Sequence, residues 1–169
     1  TDPPAGGTRE DDRIDAAVIR LTEPSASRIP APFLGPKEMD LNDVPKVKDK
    51  YLVVGYPASR TRKNFETRKV APRPLRYVGN GVSSQSYKDA GISPRTHLAL
   101  AFDKENSLTS EGPTTAPDPD GMSGCGVWRF DSLMNPSAEA RDRLLAVFTE
   151  HLPREGKLLV ATRVSVHVE

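Results

Sequence analysis

Apolar residues in this chain gather in short blocks that proline, glycine and charged residues interrupt; no long amphipathic stretch appears. Residues 14–21 (I-D-A-A-V-I-R-L) form a compact β-type run behind acidic residues. From residue 51 the blocks recur regularly. Residues 51–56 read as a strand stopped by Pro57, residues 75–82 as a second with an Asn-Gly turn signal, and residues 97–102 as a third. Further strand candidates span 125–130, 144–149 and 157–168, which makes six after residue 50. Only residues 137–143 read as a helix, with Ser137 as N-cap and Glu139 behind it. Short strands with so little helix predict an all-β barrel or sandwich and argue against a parallel α/β sheet.

The stretch 22–49 carries Pro24, Pro30, Pro32, Pro36 and Pro45, too closely spaced for any long helix, and reads as a connector laid over the surface. Residues 1–10 read as a flexible lead-in. Three segments are therefore expected: 1–23 with the first strand, 24–49 as connector, and 50–169 as the main barrel. The chain opens on Thr1 rather than Met, which reads as a processed chain or a piece of a longer one.

Composition sharpens this picture. Sixteen prolines in 169 residues are about twice the usual share of roughly 5%, which suits strands joined by turns. Lys and Arg total 24 against 23 Asp and Glu, a net charge of +1, so no electrostatic case exists for nucleic acid or an anionic membrane. No apolar run approaches the roughly 18 residues of a spanning helix. The single cysteine, Cys125, excludes an internal disulfide and any multi-cysteine metal site, and points to a reducing, cytoplasmic setting. The basic clusters at 46–50 and 60–63 are interspersed with acids or lie in loops, and read as solvated surface.

The most informative stretch is 117–128, P-D-P-D-G-M-S-G-C-G-V-W. Glycines allow positive φ and close backbone approach. A serine on such a turn can present its hydroxyl outward while neighbouring N–H groups converge on one spot, as an oxyanion hole requires. A plain surface turn would have the same composition. About a hundred residues earlier, Asp15 heads the apolar strand D-A-A-V-I-R-L.

Together these two motifs resemble those of the trypsin/chymotrypsin-like serine proteases. That family carries D-[IA]-A-[LV]-[LI]-[KR]-L around its catalytic Asp and G-x-S-G around its nucleophile, matched here by residues 15–21 and 121–124. Residues 53–57 are similar to a strand early in the family's second barrel, and 161–165 to its closing strand. The resemblance, of bacterial type, implies a six-stranded antiparallel barrel over 50–169, preceded by the last strand of another barrel. Ser123 would be the nucleophile, the N–H groups of Gly121 and Ser123 the oxyanion hole, and Asp15 the residue orienting a histidine. Thr149 aligns with a position supporting that Asp, and Glu150 and His151 would line the substrate's path. The activity implied is peptide-bond hydrolysis through an acyl-enzyme on a polypeptide substrate, without cofactor or metal.

Three departures accompany the resemblance. The family's histidine precedes its Asp, yet only 14 residues precede Asp15 and none is His; His97, His151 and His167 all follow. The catalytic histidine is therefore expected from an N-terminal fragment or another chain. Met122 stands where vertebrate digestive members carry an Asp that pairs with a freed N-terminus, so that activation route is not expected. Pro117 lies where trypsin-type members keep an Asp at the pocket base, which leaves Asp118 and Asp120 to meet a basic side chain; His151 would instead suit an acidic one. Cys125 reads as a small buried side chain opening a strand. Two rivals stand beside this reading: an α/β-hydrolase elbow at Ser123 with Asp131 and His151 downstream, and a protease-like fold that binds peptides or proteins without cutting.

Overall fold

The structure is a computed structural model that describes residues 19–42, 44–64, 69–109, 111–129, 142–154 and 157–167. Ten strands account for most of its order: β1 (Lys50–Gly55), β2 (Arg62–Asn64), β3 (Lys69–Ala71), β4 (Leu75–Asn80), β5 (His97–Ala101), β6 (Ser107–Thr109), β7 (Gly112–Thr114), β8 (Gly126–Arg129), β9 (Arg143–Leu152) and β10 (Leu158–Arg163). Six of them form one antiparallel sheet in the order β4-β1-β8-β9-β10-β5. The sheet curls into a half-barrel, called the barrel below, and an isolated antiparallel bridge joins Gly81, just past one edge strand, to Leu100 in the other. β1 pairs with β4, and after β5, which forms the far edge, the chain returns to place β8 on the other side of β1. The remaining strands form two small hairpins, β2–β3 and β6–β7.

Side-chain alternation explains why the sheet curls around its contents. In β1 every second residue, Tyr51, Val53 and Gly55, is buried. Tyr51 and Val53 pack with Leu75, Leu98, Leu100, Phe102, Val127, Leu145, Phe148, Leu159 and Ala161 into one core. All six residues of β10 are buried. Its inward face joins that core, while Leu158 and Val160 on the other face pack with Ala90 in a second cluster against Val82, Ile92 and Leu152. A short helix, α2 (Ser84–Asp89), leads into that cover. The Ser83 hydroxyl caps it by accepting from Ser86 N–H, and the buried Tyr87 hydroxyl accepts from Ala99 N–H.

The expected all-β class is therefore found, with differences at the level of elements. The helix α2 and another, α1 (Glu23–Ala26), lie where the sequence suggested none. The region 137–141 lies outside the described residues, and Arg143 already belongs to β9, which runs three residues past the expected end at Thr149. The strand expected over 157–168 stops at Arg163 and turns into a short 3-10 helix. Of the strand expected over 14–21, residues 14–18 lie outside the described residues; 19–21 are exposed and not in a strand.

The connector is held to the barrel by polar contacts. Asp40 N–H donates to the Leu144 carbonyl, and Met39 bridges Leu144 at the start of β9. The Asp40 carboxylate, 4% exposed, faces Arg129 at 3.4 Å and Arg143 at 3.9 Å. Lys46 N–H donates to the Tyr51 hydroxyl, whose proton points to Asp49. Burial raises the Tyr51 phenol well above its usual range, so it stays protonated and keeps donating.

Candidate functional site

The turn before β8 is built by two successive short-range hydrogen bonds. Met122 N–H donates to Pro119 O at 3.0 Å, and Cys125 N–H to Met122 O at 2.9 Å. Such tight reversals need left-handed backbone, and glycine supplies it: Gly121 has φ 83° and Gly124 φ 91°. Gly121 is also crowded, since a Cβ there would lie 3.2 Å from Ala58, whose N–H donates to Asp120 O.

Packing fixes what the turn presents. Met122 is buried, and its terminal methyl fills the space over Gly55, where a Cβ would sit 2.8 Å away. With Met122 anchored inward, Ser123 faces solvent. The far end of the turn is tied to β9: Gly124 N–H donates to Phe148 O, and Phe148 N–H donates to Cys125 O, both at 2.8 Å. The N–H groups of Met122, Gly124 and Cys125 are thus all occupied. Those of Gly121 and Ser123 have no acceptor among the described residues.

Beside Ser123 opens a cavity of about 500 Å³. The serine turn forms one side, with Asp118, Pro119, Asp120 and Gly121, and the end of β9 forms the other, with Phe148, Thr149, Glu150 and His151; Lys104 and Pro153 complete the lining. A β-bulge shapes the β9 side. Val160 pairs with Glu150 and Ala161 with Phe148, so Thr149 has no partner in the ladder. Its hydroxyl donates instead to the Val160 carbonyl at 3.2 Å.

Charge in the cavity is unevenly distributed. Lys104 Nζ lies 2.7 Å from Asp118 Oδ2. His151 is half-buried and packs edge-on to Phe102, whose other neighbour is Tyr77. Burial pushes the His151 imidazole below its ordinary 6.5, with Lys104 acting in the same direction and Asp118 and Asp120 opposing it. Burial also pushes the half-buried Cys125 thiol up to about 11, which keeps it a thiol and a poor nucleophile at neutral pH.

The structure therefore brings Gly121, Ser123, Thr149, Glu150 and His151 together, while Asp15 lies outside the described residues. No side chain among the described residues hydrogen-bonds to the Ser123 hydroxyl. His97 is buried against Thr96 Oγ1, and Pro117 is not part of the cavity lining. Asp118 and Asp120 do line it. Lys104 was missed from sequence because a lysine between a strand and a hairpin carries no signal; only the fold returns it to the serine turn. β8 follows Ser123 where an α/β-hydrolase elbow needs a helix, which removes that rival. No group of three metal-binding side chains occurs among the described residues, and none of the described helices is long and apolar enough to cross a membrane. No family model matches the chain, and no curated protein matches it significantly.

Proposed function

We propose that this chain is the serine-bearing part of a trypsin-like endopeptidase. The observation that carries the reading is the pair of N–H groups at Gly121 and Ser123, without acceptors among the described residues, on a turn that sets Ser123 at the edge of a cavity. Donors already fixed in place need no reorganisation when charge develops on a carbonyl oxygen, and losing one such donor costs about 10²–10³ in rate. In this reading the Ser123 hydroxyl attacks the peptide carbonyl, its proton passes to a histidine, and the acyl-enzyme is released by water. Asp15 orients that histidine, which an N-terminal fragment or companion chain supplies. Chain order, the six-strand barrel and the position of the turn before the fourth large strand all agree with the motif resemblance.

One observation favours the non-cutting alternative: no described base reaches the Ser123 hydroxyl. A single experiment separates the two. Natively isolated protein is treated with a fluorophosphonate, and intact mass is compared with that of Ser123→Ala. A label that disappears in the variant establishes an activated serine, and the same spectrum identifies any chain that accompanies it. Absence of label with a companion chain present leaves a peptide-binding module; absence of label without one means an incomplete fragment or such a module, and adding back the upstream residues then decides between them.

A further inference from the structure

We propose that Ala58 is a positioning residue for the serine turn: its backbone N–H holds the Asp120–Gly121 peptide in the one orientation that leaves the Gly121 N–H free to donate. What that donor does rests on the peptidase reading; how it is held does not. Met122 N–H donates to Pro119 O, Gly121 has φ 83°, and Asp120 before it has negative φ, which together make a type II turn. Type I and type II turns share this closing hydrogen bond and differ by about half a rotation of the central peptide. Here that peptide is Asp120–Gly121. Glycine accepts either sign of φ, and the closing bond survives in both states, so nothing inside the turn chooses between them.

The choice is made from outside. The Asp120 carbonyl accepts from Ala58 N–H at 2.8 Å. In a planar trans peptide the C=O and N–H point in opposite directions, so a carbonyl held at Ala58 turns the Gly121 N–H away from it. Rotation to type I would break that bond and set two N–H donors face to face. Ala58 is itself well anchored. Pro57 is fully buried, and the 3-10 turn Ala58–Arg60 is closed by Arg60 N–H to Pro57 O and Thr61 N–H to Ala58 O. The Ser123 N–H is aimed by a different bond: its own peptide carbonyl, Met122 O, accepts from Cys125 N–H within the turn. The two donors therefore have separate anchors, and a change at Ala58 should reach one of them and spare the other.

The test is Ala58→Pro in the full chain. A 3-10 residue already has φ of about −60°, and Pro57 is extended with ψ 141°, as a residue before proline must be. The substitution thus keeps the backbone and puts the ring Cδ where the hydrogen was. Residual dipolar couplings report N–H direction. In Ala58→Pro the Gly121 coupling should move while those of Ser123 and Gly124 stay. In Ala58→Gly, which keeps the N–H and loses the Cβ, all three should match the parent. Fluorophosphonate labelling should slow in Ala58→Pro toward the about 10²–10³-fold loss of one oxyanion donor, with its pH profile unmoved. If Ala58→Pro does not fold, lactic acid at position 58, which replaces the N–H by an ester oxygen, carries the same expectations. An unmoved Gly121 coupling, an equal loss in Ala58→Gly, or labelling that keeps its rate after Gly121 has turned would each overturn the proposal. Should the parent take no label even with its companion chain or upstream residues present, the peptidase reading fails, and the Gly121 coupling still decides the anchoring.

Discussion

The barrel and the connector use apolar residues in opposite ways. In the barrel, Val53, Leu98 and Val160 are fully buried. In the connector Phe33 is 62% exposed, with Ile29, Val44 and Val47 also open to solvent. The cause lies in backbone hydrogen bonding more than in composition. Barrel strands satisfy their backbone with neighbouring strands, so alternate side chains all reach one interior. The connector's prolines remove donors and break periodicity, so its apolar residues share no face. Polar groups that need only local geometry fasten it: Asp40 against the start of β9, Lys46 against Tyr51, and Asp49, whose carbonyl accepts from Gly81 N–H and whose carboxylate lies 3.9 Å from Arg129.

The largest effect should come from testing that division directly. Leu98→Ala in the barrel core should cost about 2–5 kcal/mol, the usual penalty for a cavity in a closely packed interior. Phe33→Ala in the connector should stay within about 0.5 kcal/mol despite the larger side chain. Urea denaturation of both variants checks this. A cost above about 1 kcal/mol for Phe33→Ala would mean that the connector is packed, and the contrast would fail.

An intermediate effect should appear at the fastening. Asp40→Ala leaves Arg129 without one of its carboxylates, beside Leu144 and β9. Removing one partner of a fully buried pair costs about 3–5 kcal/mol; here Arg129 is partly exposed and can hydrate, so about 1–3 kcal/mol is expected. Protease should then cut residues 27–38 faster while the barrel's unfolding midpoint moves less than in Leu98→Ala. An unchanged cutting rate would show that Asp40 does not hold the connector.

The same contrast explains what the sequence made legible. The six large strands were readable because each is a short apolar block bounded by proline, glycine or charged residues, as at β1, where burial alternates and the strand stops just before Pro57. α2 was not, because its only strong signal is Ser83, and serine caps resemble ordinary loop serines. The β9 extension was hidden because residues 150–152, Glu-His-Leu, follow a bulge that shifts the alternation. At the site, Gly121, Ser123 and Gly124 were legible because positive φ demands glycine. Lys104 and the engagement of Asp118 were not, since a pair across two loops leaves no local pattern. Fold class and the turn could thus be read locally, whereas the charge of the cavity is a tertiary property.

The smallest effect concerns the cavity, and its sign follows from His151. Burial lowers the folded-state value of this imidazole below 6.5, so between that lowered value and 6.5 the unfolded chain binds more protons than the folded one. The stability that neutral His151 contributes is therefore complete above pH 6.5 and is lost as pH falls through the folded value. The negative charges of Asp118 and Asp120 limit the loss, while Lys104 enlarges it. His151→Gln should keep the edge contact with Phe102 only in part and so start less stable, yet its stability should fall less between pH 7 and pH 5 than the parent's. Because the ring is only half-buried, solvent screens the effect, and it should be a small fraction of the Leu98→Ala cost. Parallel curves for parent and variant over that range would show that His151 is as solvated as a connector side chain, and the barrel–connector contrast would then end at the rim of the cavity.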